Sequence, residues 1–213
     1  MQIYLASSWK NKFIDMVYQS LIYHRRNKVY DFRYPSVGEK GFHWSDVDPN
    51  CDKWTPYDYK QNLNHPLAER QFKNDIEAMK ACDACVLILP CGRSAHSEAG
   101  WFAGQGKPVY VFIPTEKDFE PELMYKLFRR VCTTLKELSL QITKDNCLMA
   151  LDDPEIDWGT KDEEEIKVRK VATKEKLEEV LTDDLIAGLL RAGTDSPKDI
   201  ISLLMKDFIR FVD

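Results

Sequence analysis

Short apolar runs alternate with amphipathic segments along the first 140 residues of the chain. The run Ala84 to Leu89 is apolar throughout, which is typical of a central parallel strand that is buried on both faces. The pattern predicts strands over 2–6, 28–32, 84–89, 108–113 and 131–133. It predicts helices over 13–24, 68–81, 96–106 and 120–130, and a last helix that follows the fifth strand and ends at about 140.

This strand–helix alternation predicts an α/β fold with a doubly wound (flavodoxin- or Rossmann-like) parallel sheet. Binding sites in such sheets lie beyond the carboxyl ends of the strands. We therefore expect the site among the loops at 7–11, from 31 onward, at 90–98 and from 114 onward. The long aromatic segment 33–66 has no clear periodicity and is predicted to be a loop. It is either a wall on which a base stacks or a lid packed for its own stability.

The character of the chain changes after about residue 151. Residues 152–165 are acidic and polar and are predicted to form a linker, and amphipathic helices are predicted over 173–181, 183–191 and 197–212. We therefore expect an α/β domain over residues 1–150 and a small C-terminal helical extension over 165–213, for which the sequence indicates no chemistry.

Composition narrows the class of function. The 213 residues carry a net charge of −5 and no basic run, which argues against nucleic-acid binding. No apolar stretch approaches the roughly 20 residues that span a bilayer, and the N-terminus lacks the pattern of a signal peptide. We expect a cytoplasmic protein with six free thiols and neither metal nor cofactor. Cys82 and Cys85 form a C-x-x-C without a second pair, so we interpret them as core residues.

Glu98 is the strongest candidate for a catalytic residue. It follows the loop that leaves the buried strand, and we place it in the first turn of the next helix, where the helix dipole keeps a carboxylate ionised. Such a carboxylate can attack an anomeric carbon and form a covalent sugar intermediate. The alternative is an ordinary acidic residue at a helix N-terminus.

Polar groups around Glu98 are candidates for substrate binding. His96 is either a proton donor, because imidazole titrates near neutral pH, or a residue of the helix surface. Arg33, directly after the second strand, is a further candidate for an anion contact. The other candidates, which lie in the first-strand loop and in the loop before Glu98, are Ser7, Ser8, Trp9, Gly92, Arg93 and Ser94.

Four sequence pieces, in order, resemble the nucleoside 2-deoxyribosyltransferase family and related nucleotide N-glycosidases. They are QIYLASSW, FKNDIEAMKACDACVLILP, SEAGWFAGQGKPV and an IP followed by PELM, and together they span about residues 1–140. The resemblance implies that Glu98 is the nucleophile, that Asp75 lies beside the sugar or base, and that the Tyr4 hydroxyl steadies the nucleophile. Otherwise Asp75 is a solvated helix residue and Tyr4 a core aromatic.

Two positions depart from the family pattern. Gly92 stands six residues before Glu98, where deoxyribosyltransferases carry an aspartate that helps to protonate the base. Arg93 and Ser94 favour an anionic substrate, hence a nucleotide over a nucleoside. Glu122 stands where the family often has an asparagine that reaches a neighbouring subunit. A homo-oligomer is still expected, but a site completed across subunits is in doubt.

Three functions remain open. The first is retaining cleavage of an N-glycosidic bond through a glycosyl ester of Glu98, with a second base or water as acceptor. The second is an NAD glycohydrolase of the Toll/interleukin-receptor type, which also uses a glutamate. The third is a nucleotide-binding sensor without turnover, whose tail helices contact a partner.

Overall fold

The computed structural model describes residues 1–23, 27–34, 41–114, 120–152, 161–180 and 201. Five strands form one sheet in the order β2-β1-β3-β4-β5, and every neighbouring pair is parallel. This is the flavodoxin-type strand order, so the predicted doubly wound α/β fold is confirmed. The strands are β1 (Gln2–Ala6), β2 (Lys28–Asp31), β3 (Ala84–Ile88), β4 (Val109–Phe112) and β5 (Arg130–Cys132).

The described helices agree with the sequence pattern in most places. They are α1 (Ile14–Tyr23), α2 (Pro56–Asn62), α3 (Pro66–Ala81), α4 (Arg93–Gly104), α5 (Leu135–Ala150) and α6 (Glu163–Val180). The helix predicted over 120–130 is wrong, because the chain there forms only a 3₁₀ turn over Leu123–Leu127. Pro121 restricts the approach to this turn, and Phe128 is already extended toward β5.

One face of the sheet and the two helices α3 and α4 share a hydrophobic core. Strand alternation places Tyr4 and Ala6 of β1 on this face, together with Cys85 and Leu87 of β3. Helix α4 contributes residues at helical spacing, and Met79 and Cys82 come from α3 and its end. Both cysteines of the C-x-x-C therefore lie in the core, as the sequence predicted.

Residues 41–66 of the aromatic segment after β2 form short helices, where a loop was predicted. The segment contains α2, which the sequence analysis missed although Thr55 and Asp58 form a capping box at its start. The Trp44 ring contacts the rings of Phe42, Trp54 and Tyr59 with centroids 4.9, 5.5 and 5.7 Å apart. Trp44 thus has three aromatic neighbours, but neither the 3₁₀ turns over Trp44–Asp46 and Cys51–Lys53 nor α2 contains a fully buried residue. The base-stacking wall and the self-packed lid both stay predictions.

The chain divides into two compact units. The first comprises Met1–Leu21 and Asn27–Thr134, and the second Ile22–Arg26 and Leu135–Asp213. The division falls after Thr134, whereas the sequence placed it after residue 150, so α5 groups with the C-terminal unit. Helix α6 begins within the predicted acidic linker. The helices predicted over 183–191 and 197–212 lie outside the described residues, apart from residue 201.

Candidate active site

Glu98 lies on the buried stripe of α4. Ala95, Ala99 and Phe102 line that stripe with almost no exposure, and Glu98 follows Ala95 at helical spacing. The helix begins at Arg93, three residues earlier than predicted, so Glu98 lies in the second turn rather than the first. The stabilisation that the helix dipole gives an anion falls off within the first turn, so it contributes little at Glu98.

The second carboxylate of the site belongs to Asp75 of α3. Gln71, Asp75 and Met79 follow one another at intervals of four residues, so they share the face of α3 that contains the buried Met79. The Gln71 amide donates a hydrogen bond of 2.9 Å to the Asp75 carboxylate. Asp75 is therefore half-buried and held by its own helix, and it is not the solvated helix residue of the alternative interpretation.

Two tyrosine rings form the floor below these carboxylates. Tyr4 of β1 and Tyr30 of β2 are directly paired in the parallel register, and their rings stack with centroids 5.3 Å apart and planes 14° from parallel. Both hydroxyl groups are buried and complete no hydrogen bond of standard geometry. Each hydroxyl is nevertheless near a carboxyl group, since Tyr4 lowers the pKa of Glu98 and Tyr30 lowers the pKa of Asp75.

The pKa values of both carboxyl groups are raised above their ordinary values. Burial raises the pKa of Glu98 to about 7, the negative charge of Asp75 adds to the rise, and the Tyr4 hydroxyl opposes it. The prediction that Glu98 stays fully ionised is therefore wrong at neutral pH, because desolvation outweighs the distant helix dipole. Burial also raises the pKa of Asp75, whereas the hydrogen bond from Gln71 and the nearby Tyr30 hydroxyl lower it. Perturbed pKa values of this kind mark candidate functional sites.

Lys107 fixes the end of the helix that carries Asp75. Its ammonium group donates to the main-chain carbonyls of Met79, Lys80 and Cys82 at 3.2, 2.8 and 2.6 Å. A cation at this position satisfies carbonyls that have no partner within the helix. Lys107, which lies in the sequence piece SEAGWFAGQGKPV, thus connects the end of α3 to the start of β4.

His96 joins the start of α4 to the turn after β4. Its Nδ1 lies 2.9 Å from the Gly92 carbonyl and its Nε2 lies 3.0 Å from the Tyr125 hydroxyl. A carbonyl only accepts, so Nδ1 carries the proton and Nε2 accepts from Tyr125. Cys91 Sγ is also close to Nδ1, at 3.5 Å. In this arrangement His96 has no proton on Nε2 to give, and its role as a proton donor stays a prediction.

The loop after β1 is tied to the end of β3. Ser7 donates to the Ile88 carbonyl at 2.9 Å, and the buried Asn11 amide donates to Ser7, Ile88 and Pro90. The Ser7 hydroxyl predicted to bind substrate is therefore engaged in positioning the loop. Ser8 accepts from the Lys10 amide at 3.4 Å within the same loop.

Trp9 packs beneath the segment that follows β2. Its ring meets Phe32 edge-on at 5.3 Å and His43 at 4.3 Å. Gly41 lies so close that an added Cβ would be 2.4 Å from the Trp9 ring and 2.6 Å from the Phe32 carbonyl. Trp9 is still 38% exposed, and its role as a substrate contact stays a prediction.

Arg33 lies in an ion-pair cluster of its own. The guanidinium contacts Asp31 at 2.7 Å and Asp15 at 2.6 Å. A cavity of about 270 Å³ next to it is lined in part by these three residues and Val29. Val29 and Asp31 alternate with Tyr30 along β2, so they point to the opposite face of the sheet. The structure does not bring Arg33 together with Glu98, and two carboxylates already balance its charge.

The loop before Glu98 is open to solvent. Gly92, Arg93 and Ser94 are all exposed, and Gly92 caps α4 without a side chain. Arg93 carries the one charge among these three residues, and anion binding by this loop stays a prediction. In the part of the chain that the structure describes, no group of acidic, histidine or cysteine side chains could hold a metal ion. No described helix is long and apolar enough to cross a membrane.

Sequence reasoning missed three residues that shape this site. They are Tyr30, which stacks on Tyr4, Tyr125, which contacts His96, and Gln71, which donates to Asp75. The spacing of Gln71 and Asp75 was visible in the sequence. The pairing of Tyr30 with Tyr4 was not, because it depends on the register between two strands that lie 26 residues apart. Glu122, noted as a departure, caps the 3₁₀ turn by accepting from the Met124 amide at 2.9 Å.

No protein-family model matches the chain, and no curated protein matches it. Among solved structures, the chain is similar to the CMP N-glycosidase BcmB of Clostridium botulinum, with 14% identity over 67% of this chain and 97% of that one and a TM-score of 0.37. It is also similar to the 2-deoxyribosyltransferase of the psychrotolerant bacterium Bacillus psychrosaccharolyticus, with 20% identity over 65% and 90% of the two chains and a TM-score of 0.42. Both proteins are members of the nucleoside 2-deoxyribosyltransferase family, which the motifs of this chain resemble.

Proposed function

We propose that this protein cleaves the N-glycosidic bond of a nucleoside or nucleoside monophosphate, with Glu98 as the nucleophile. The observation that carries the proposal is a half-buried Glu98 whose pKa is raised by burial and by the nearby charge of Asp75 and lowered by the Tyr4 hydroxyl. A half-buried carboxyl group with a pKa of about 7 is sufficiently ionised near neutral pH to attack and sufficiently desolvated to be reactive.

The first step forms a glycosyl ester. A Glu98 carboxylate oxygen bonds to C1′ of the sugar while the bond between C1′ and the base nitrogen breaks, and its electron pair stays on that nitrogen. The departing base takes up a proton from solvent, because Gly92 offers no side chain to supply one. In this proposal Tyr4 donates to Glu98 and Asp75 positions the sugar.

The second step releases the sugar. Water, or a nitrogen of a second base, attacks C1′, the ester bond breaks, and Glu98 recovers its electron pair. The attacking water loses one proton to solvent, so the protons balance over the cycle. Two displacements on the same carbon retain the anomeric configuration.

The test is a panel of nucleosides, nucleoside monophosphates and NAD, assayed by chromatography for released base with and without an acceptor base. Wild type, Glu98→Gln and the control Glu69→Gln, an exposed glutamate of α3, are compared. We expect release by wild type and by the control alone. Intact-mass spectrometry of quenched wild type should detect one added sugar, which Glu98→Gln lacks.

Each arm of the panel separates one alternative. Release of nicotinamide alone would replace the proposal with NAD glycohydrolysis. Ligand binding without any release of base would favour a sensor and overturn the proposed chemistry. Equal activity of Glu98→Gln and wild type would remove Glu98 as the nucleophile.

A further inference from the structure

Tyr30 is a buried polar side chain for which the proposed mechanism has no role. It pairs with Tyr4 across the sheet and stacks on its ring, so its orientation is fixed by the same floor that carries Tyr4. Its hydroxyl is buried and makes no hydrogen bond of standard geometry. A buried hydroxyl without a partner is destabilising, which points to a neighbouring acceptor that is not yet in hydrogen-bonding geometry.

The Asp75 carboxylate is close enough to the Tyr30 hydroxyl to raise the pKa of that hydroxyl, although no hydrogen bond of standard geometry joins the two groups. Among the residues that the structure describes, that carboxylate accepts one hydrogen bond of standard geometry, from Gln71 of the same helix at 2.9 Å. An ionised carboxylate has about four acceptor sites, so room for a second donor remains. Hydrogen bonds of catalytic groups are often long or poorly aligned before substrate binds and tighten in the complex.

We propose that Tyr30 is a positioning residue, whose hydroxyl donates to Asp75 and holds that carboxylate toward the sugar-binding side of Glu98. Two stacked tyrosines then serve two carboxylates, Tyr4 for Glu98 and Tyr30 for Asp75. Gln71 restrains Asp75 from its own helix and Tyr30 restrains it from the sheet, so that the carboxylate cannot rotate away from Glu98. The kinetic consequence rests on the proposed function, whereas the contact itself does not.

The direct test follows the titration of the Asp75 carboxyl carbon by NMR in the full-length chain. Tyr30→Phe removes the donor, so the pKa of Asp75 should rise further above its usual value. Tyr18→Phe, which removes a hydroxyl from a half-buried tyrosine of α1, is the matched control and should leave that titration unchanged. An unchanged Asp75 titration in Tyr30→Phe, or an equal shift in both variants, would overturn the proposal.

A second variant keeps the test decisive if Tyr30→Phe fails to fold. Incorporation of 3-fluorotyrosine at position 30 retains the ring and makes its hydroxyl a stronger donor, so the pKa of Asp75 should fall. A shift of Asp75 in the opposite direction, or none, would contradict the assigned contact.

The kinetic arm measures kcat and KM on the substrate found in the panel. We expect kcat/KM of Tyr30→Phe to fall about tenfold, as for the loss of one hydrogen bond to a charged group, with no loss in Tyr18→Phe. No loss of kcat/KM would overturn the positioning role. If the panel finds no cleavage at all while Asp75 still responds to Tyr30, the contact stands and the proposed function falls.

Discussion

The Nε2 atom of His96 lies 3.0 Å from the hydroxyl of Tyr125, with the two rings only 9° from parallel. The contact joins the helix that carries Glu98, two residues further along, to the 3₁₀ turn after β4. Burial raises the pKa of Tyr125 to about 12, so the hydroxyl stays protonated and donates. The start of α4 is therefore held by the 3₁₀ turn over Leu123–Leu127 as well as by the main-chain hydrogen bonds of the helix itself.

Removing this donor should loosen the start of α4. We expect Tyr125→Phe to lower the free energy of unfolding by about 1 kcal/mol, the usual contribution of one buried hydrogen bond. Urea unfolding measures the change. Tyr57→Phe, at a tyrosine that is 69% exposed, is the control and should leave stability unchanged. Equal stability of Tyr125→Phe and wild type would show that His96 does not depend on this contact.

Glu98→Gln should lose activity and gain stability. Turnover should fall by about a thousandfold or more, because an amide is a poor nucleophile. The folded pKa of Glu98, about 7, exceeds its unfolded value, so the stability that the protonated acid contributes is present below pH 4.5 and is lost as pH rises through 7.

The amide does not ionise, so the variant should be more stable than wild type at pH 8, by on the order of 2 kcal/mol, and similar at pH 4. Thermal unfolding at both pH values measures the difference. A stability gain that is the same at both would rule out ionisation of Glu98 as its source.

Two substitutions near Glu98 should shift the acid limb of the pH profile of kcat/KM in opposite directions. In wild type the limb should lie near pH 7, where Glu98 ionises in the unliganded enzyme. Tyr4→Phe removes a donor to the carboxylate, so the pKa of Glu98 and the limb should rise. Asp75→Asn removes a neighbouring negative charge, so both should fall. Shifts of the same sign would contradict the assigned contacts.

Lys107→Met should destabilise the end of α3. The three carbonyls that the ammonium group satisfies would lose their donor, and we expect a loss of about 1–3 kcal/mol in the free energy of unfolding. Lys73→Met removes an exposed lysine of the same helix, whose distance of 3.9 Å to Glu77 marks a weak surface pair. Chemical unfolding of both variants should therefore separate them, and equal losses would show that Lys107 acts only as a surface charge.

The strands and most helices of the α/β unit could be predicted from the sequence, because apolar alternation and helical spacing are local. The strand bounds of β1 and β3 agree with the pattern to within one residue. The turn over Leu123–Leu127 could not be predicted, since its residues are good helix formers and its geometry follows from the link to β5. The sequence singled out Glu98 as a candidate, but its burial and the nearby charge of Asp75 depend on how two helices pack and could not be predicted.

Gly41 has no side chain, and a Cβ atom at this position would overlap the Trp9 ring and the backbone of Phe32. The loop that follows β1 and the segment around Gly41 are therefore packed directly against each other. An exchange of either segment must therefore keep a small residue facing the Trp9 ring, or replace both segments together.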